Sequence, residues 1–353
     1  MNNYKIRIIF SAFFAAVFTA LFFIMPNAMN TGIKNGLQLC ASTIIPSMFP
    51  FIIMSDYMIR SGLCGKIGRV FGKMTNKIFK LSGSCACVIF VSLFGGFPVG
   101  AKMTAQLVEN GEISENQGQR MMFFCVNGGP AFVINAVGVS MLSSRRAGII
   151  LYVSLVLSSL IIGFFTRFFA EKKTVTFLKI KTEFRSSVFS QSVSESVKTV
   201  FNICAWVLVF SCVNGYAEYL PIDEKIKSVI YMLSEVTSGC AVTAGKMPLW
   251  VLAVVIGWSG ISVQCQVYDF VKKTGLKMRK FILARLLNGV LAGLICKIIL
   301  YFFPCDISTF ATNTGVAVSA YSVSLPAAVS MILLAVFMLA DSKTTVFLDN
   351  QTN

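Results

Sequence analysis

Apolar runs recur along the whole chain, at approximately 8–25, 36–59, 84–101, 121–142, 147–169, 199–220, 228–245, 248–270, 281–303 and 314–340. Runs of this length cross about 30 Å of hydrocarbon as helices. Lipid offers the backbone no hydrogen bonds, so an unclosed chain must pair its own amides within each segment. Period-two alternation is absent, which argues against a β-barrel. Only 13% of residues are charged and mean hydropathy is +0.75, whereas a soluble domain carries about twice that charge. The expectation is an all-α polytopic membrane protein with about eight transmembrane helices plus two broken or re-entrant segments, in a two-fold internal repeat that is inverted. The first run, Ile8 to Met25, follows Lys5 and Arg7 and has no clean cleavage site after it. It reads as an uncleaved membrane helix rather than a signal peptide.

Two runs break in the same way. One reads Leu93-Phe-Gly-Gly-Phe-Pro-Val-Gly-Ala-Lys102 and the other Ile256-Gly-Trp-Ser-Gly-Ile-Ser-Val-Gln264. Each is followed by a polar loop and a run holding an Asn-Gly step. Gly95 precedes Asn127 by 32 residues and Gly257 precedes Asn288 by 31. Pro98 lacks an N–H and clashes with the preceding turn. Non-helical backbone at membrane depth survives only inside protein or beside a wet cavity. Paired interrupted segments in corresponding halves point to a transporter-type site at the midplane. The competing reading is a kink or a close-packed seam of small residues.

The halves imply these boundaries: a first helix and loop at 1–35, a repeat at 36–169, a basic linker at 170–198, a second repeat at 199–303, and a last helix and tail at 304–353. Segments 84–101 and 121–142 would match 248–270 and 281–303. The loop after the first break is acidic (Glu109, Glu112, Glu115) and that after the second is basic (Lys272, Lys273, Lys277, Arg279, Lys280). Opposite charge suggests opposite membrane faces, as an inverted repeat requires. The net charge of +16 lies in short loops, where it sets orientation; anionic lipid is a secondary partner and nucleic acid is not implied. Residues 61–82 are amphipathic and basic, suiting either a helix on the membrane surface or an ordinary positive loop. Placing the basic clusters at 60–80, 172–185 and 272–280 on one side leaves Arg145-Arg146 outside and makes 84–101 a re-entrant hairpin; placing Arg145-Arg146 inside makes the linker the exception instead, so one charged loop breaks the rule either way.

The candidate substrate-binding residues are Gly95, Gly96, Pro98, Lys102, Asn127, Gly128, Glu235, Thr237, Ser238, Ser259, Ser262, Gln264, Gln266 and Asn288. Asn127, in Asn-Gly-Gly-Pro130, could offer its amide to a ligand or cap a half-helix. Ser259, Ser262 and Gln266 share a helical face suited to a hydroxyl-rich solute or to interhelical hydrogen bonds. Glu235 sits mid-run, where a carboxylate is expensive and functional by default; with Thr237 and Ser238 it could couple Na⁺ or H⁺. Lys102 and Arg285 read first as interface anchors that snorkel, and an Arg285–Glu235 pair is open. Eleven Cys and no His provide no metal set, no cofactor motif and no disulfide framework. No Ser-His-Asp or Cys-His machinery can exist, so no enzyme is expected.

At these motifs the chain resembles the YlbJ-type sporulation integral membrane proteins of spore-forming Firmicutes. That family carries the nucleoside-recognition Gate domain, shared with concentrative nucleoside transporters and the core of ferrous-iron permeases. The resemblance rests on Gly95 to Lys102, Glu112-Ile-Ser114, Phe124 to Pro130, Glu235 to Gly239, Gly257 to Val263, and Ala284-Arg-Leu286, and spans roughly 35–300. Where the family pattern has a His near Gln264, this chain has Gln, which removes a proton-linked role there. The resemblance implies a multi-pass cell-membrane protein needed for spore envelope maturation. The expected function is transporter-like: binding or moving an unidentified small solute at a midplane site, with homo-oligomers possible. The alternative is a non-transporting scaffold for spore cortex or coat assembly.

Overall fold

The computed structural model describes residues 23–171 and 186–305, with four isolated positions before them. The expected spans at 314–340 and, nearly all of it, at 8–25 lie outside the described residues. The described residues are helical with no strand: α1 (Pro26–Leu39), a π-turn (Cys40–Ile44), α2 (Ile45–Arg60), α3 (Leu63–Phe79), α4 (Ser84–Gly95), α5 (Phe97–Glu109), α6 (Glu115–Met122), a π-helix (Ala131–Met141), α7 (Arg145–Thr166), α8 (Ser186–Tyr219), α9 (Glu224–Ser234), α10 (Val236–Thr243), α11 (Leu249–Trp258), α12 (Gly260–Val271) and α13 (Met278–Phe302). The linker expected over 170–198 is helical from Ser186.

Among the described residues five helices are long and apolar enough to cross a membrane: Pro26–Arg60, Arg145–Phe169, Ser187–Tyr219, Leu249–Val271 and Met278–Phe302. A sixth arises only if α3 and α4, bent by 83°, count as one span. The first of the five stays continuous through the π-turn before Pro46, where a proline without an N–H widens the ladder. Against it lies α8, at backbone distance. A Cβ on Gly32 would fall 2.5 Å from the Ser211 carbonyl, and one on Gly215 2.5 Å from that of Ala28. Small residues four apart (Ala28, Gly32, Gly36) make this contact, as membrane helices do when hydrophobicity cannot drive them together.

Polar contacts sort the helix ends. Arg120 in α6 donates to the carbonyls of Phe79, of Lys80 at 2.9 Å and of Thr166 at 3.0 Å, so the ends of α3 and α7 meet α6. The Lys277 amide donates to Gln119 Oε1 at 2.6 Å, bringing in the basic loop. The acidic and basic loops therefore lie side by side, not on opposite faces; their charges complement each other across a contact instead of reporting topology. This end carries the basic residues of α3 and of 272–280. Arg145-Arg146, at the far end of the 22-residue α7, lies at the other face.

From the basic end α4 runs inward and α5 returns, a hairpin whose 12-residue arm reaches about 18 Å, roughly mid-depth. A second hairpin dips from the opposite end. Lys227 contacts the Glu218 carbonyl at 3.2 Å, Tyr231 Oη donates to Glu218 at 2.5 Å, and Ser234 Oγ donates to Asn214 Oδ1 at 2.6 Å. Descending α9 thus walks inward along α8. Gly239 of α10 is back level with Met232, 2.8 Å from its would-be Cβ.

Candidate functional site

Each hairpin tip abuts a broken span. The first tip is Gly96, whose φ of 83° suits glycine. A Cβ on Gly129 would lie 2.6 Å from the Phe94 carbonyl and 3.0 Å from the Gly96 amide, so this tip rests on the unwound stretch before the π-helix. The second tip is Glu235, in extended conformation. A Cβ on Gly260 would lie 3.1 Å from Glu235 Cα and 3.0 Å from the Val236 amide, so that tip rests on the α11–α12 break. Ser259 and Gly260 both adopt left-handed φ values, 72° and 76°. For the wholly buried Ser259 this is backbone strain of about 1–3 kcal/mol, the kind held at functional positions. Helices α5 and α12, which leave the two sequence breaks, pack against each other.

Glu235 is buried, and its Oε2 accepts from the Ser238 amide at 2.7 Å. It caps α10, where a carboxylate favours the helix N-terminus. It forms no ion pair among the described residues. The open Arg285–Glu235 pairing is not made. Arg285 is 0% exposed, so it does not snorkel either. It donates to the Gly257 and Val126 carbonyls and lies over the Phe97 ring, 5.9 Å from the centroid. The guanidinium's planar fork places one nitrogen on each of two chain breaks. Its Nε has no acceptor among the described residues.

Asn127 and Asn288 are occupied by protein. Asn127 Nδ2 donates to the Phe124 carbonyl at 2.7 Å, and Asn288 Oδ1 accepts from Ser158 at 3.2 Å. Both amides also bond Ser159. Gly128 faces the Phe97 ring, and Gly95 lies against Val99. Pro98 starts α5, where its missing N–H costs nothing. Gln266 Nε2 donates to Ser262 Oγ at 3.3 Å, so that pair satisfies itself. Gln264 is buried, and its Nε2 has no partner among the described residues. Thr237 is buried two residues after Glu235, in the first turn of α10.

Lys102 is also no surface anchor. It is buried 3.1 Å from Asp56 and donates to Thr199 at 3.0 Å. Asp56 accepts further from Gln106 at 2.7 Å and Arg60 at 2.5 Å. Asp269 accepts from Trp206 Nε1 at 2.6 Å and Asn202 at 3.1 Å. Thr199, Asn202 and Trp206 stand three and four apart on α8, a polar stripe facing both α5 and α12. It is not among the residues expected from the sequence; polar residues three and four apart inside an apolar run are the pattern that could have found it.

Among the described residues no cluster of His, Cys, Asp and Glu could hold a metal ion. No family profile matches the chain, and no solved structure matches it. The chain is 25% identical over 337 residues, covering 83% of each protein, to the sporulation integral membrane protein YlbJ of Bacillus subtilis (strain 168). With its apolar spans, this likeness makes the chain a multi-pass membrane protein.

Proposed function

We propose that this is a sporulation-related, transporter-like membrane protein of the Gate type, which binds a small polar solute where two hairpin tips meet two broken spans. The observation that carries the reading is the double contact of Gly96 with Gly129 and of Glu235 with Gly260. It supports two inverted repeats, each a span, a hairpin, a broken span and a span: 26–60, 84–109, 115–142 and 145–166, then 186–219, 224–243, 249–271 and 278–302. Hairpin thus matches hairpin, and the break before Pro130 matches that at Ser259. Midplane sites between such repeats are how secondary transporters alternate access. Gln264 Nε2 and Arg285 Nε are buried donors that a guest's oxygens would satisfy, and Glu235 is the coupling group for Na⁺ or H⁺.

Uptake into liposomes, screened with nucleosides, amino acids and metal ions, tests this. Glu235→Gln and Gln264→Leu should abolish uptake, and sporulation in a complemented host, at unchanged protein level. No uptake by the wild type, with both variants sporulating normally, removes the proposal. A scaffold for spore envelope assembly is the second reading. It is favoured by the saturation of Asn127 and Asn288 with protein hydrogen bonds, and outer-face substitutions would harm it most.

A further inference from the structure

We infer that α3 is a docking helix for anionic phospholipid at the basic face of the membrane. The repeat does not require it. Between span and hairpin the second half needs only residues 220–223, whereas the first inserts 61–83. Its three faces are distinct at 100° per residue. Cys64, Gly68, Gly72, Thr75 and Phe79 are buried. A Cβ on Gly68 would lie 2.6 Å from the Gly83 carbonyl carbon, so α3 is seated on the turn into α4 with no room for a side chain. Val70, Phe71, Met74 and Ile78 form the second face and are 72%, 49%, 56% and 36% exposed. Lys66, Arg69, Lys73 and Lys77 form the third, also exposed, and residues 61–83 contain no acid.

Orientation and charge select the occupant. α3 turns 83° from α4, and α4 runs inward from the basic end, so α3 lies along the membrane surface. An apolar face beside a basic one is the signature of a helix sunk about 5–10 Å into the headgroup boundary. Phosphate-bearing anionic headgroups complement the basic face, each cation adding about five-fold to binding. Arg120 holds the Phe79 and Lys80 carbonyls, so the docked helix is coupled to α6 and to the hairpin that ends at Gly96. This inference stands whether or not a solute is moved.

The test uses the full chain in nanodiscs of phosphatidylglycerol and phosphatidylcholine, with the partly exposed Cys265 and Cys305 replaced by Ser. Nitroxides at Val70→Cys and Met74→Cys should be accessible to lipid-dissolved oxygen and shielded from aqueous nickel chelate. Shielding from both would mean that protein covers the face, and would overturn the inference. Phosphatidylglycerol retained by the purified protein, read by lipid mass spectrometry, should fall at least five-fold in Arg69→Gln/Lys73→Gln/Lys77→Gln. It should stay unchanged in Lys225→Gln/Lys246→Gln, at the opposite face. Equal retention in wild type and triple variant would also overturn it.

Discussion

Asn127 and Asn288, one from each half of the chain, are joined through a single hydroxyl: Ser159 donates to Asn127 Oδ1 at 2.6 Å and accepts from Asn288 Nδ2 at 2.9 Å. All three side chains are buried. Ser159→Ala leaves an amide oxygen and an amide nitrogen without their shared partner, at about 1–3 kcal/mol for such groups, nearer 0.6 if the surrounding helices repack as membrane helices often do. Thermal unfolding in detergent should register this loss. Adding Ser159→Ala to Asn127→Ala should cost less than the sum of the two, because the groups share one network.

Arg285 and Glu235 flank the same break without touching. Arg285 bonds the Gly257 carbonyl while Glu235 supports the tip against Gly260. The charge swap Arg285→Glu/Glu235→Arg should therefore rescue neither single variant, in folded yield or in uptake. Arg285→Lys should fail as well, since an ammonium lacks the planar fork that places separate nitrogens on the two carbonyls. Recovery in the double swap would show that the two charges pair after all.

The breaks were legible because glycine and proline advertise them. Their partnership was not. Matching 84–101 to 248–270 followed the glycines, whereas the proposed repeat matches the Gly96 hairpin to the Glu235 hairpin, whose tip carries no glycine or proline and stood out in the sequence only as a carboxylate in mid-run. Arg285 was expected at an interface because it follows closely on Lys277–Lys280. It is buried because α13 starts at the basic end and faces the breaks within two turns. Sequence position reports distance along a helix, but not which side of that helix meets protein. Loop charge misled for a related reason: acidic and basic loops attract each other across one face as readily as they mark two.

Outside the spans, burial pushes the Glu112 carboxyl above its usual range, against a smaller opposing contribution from the Asn110 amide. The folded state then holds its proton to a higher pH than the unfolded chain. Stability from this group is fully present below the unfolded carboxylate range and is lost as pH rises through the folded value. Glu112→Gln should flatten that part of the stability–pH profile and raise the melting temperature at neutral pH. A profile identical to wild type would mean the carboxyl is solvated.

The Asp56–Lys102 contact ties the returning arm of the first hairpin to the first span, with Asp56 wholly buried. Breaking a buried pair from one side leaves an uncompensated charge, at about 3–5 kcal/mol, whereas removing both partners is often close to neutral. The two partners here are not equally dependent on each other. Asp56→Asn strands Lys102 with only the Thr199 hydroxyl, but Lys102→Met leaves Asp56 still held by Arg60 and Gln106. Melting temperatures should thus fall further in Asp56→Asn than in Lys102→Met, and the double variant should recover most of the larger loss. If the double variant is as unstable as Asp56→Asn, the carboxylate serves Arg60 and Gln106, and the hairpin is held by its packing on α12 instead.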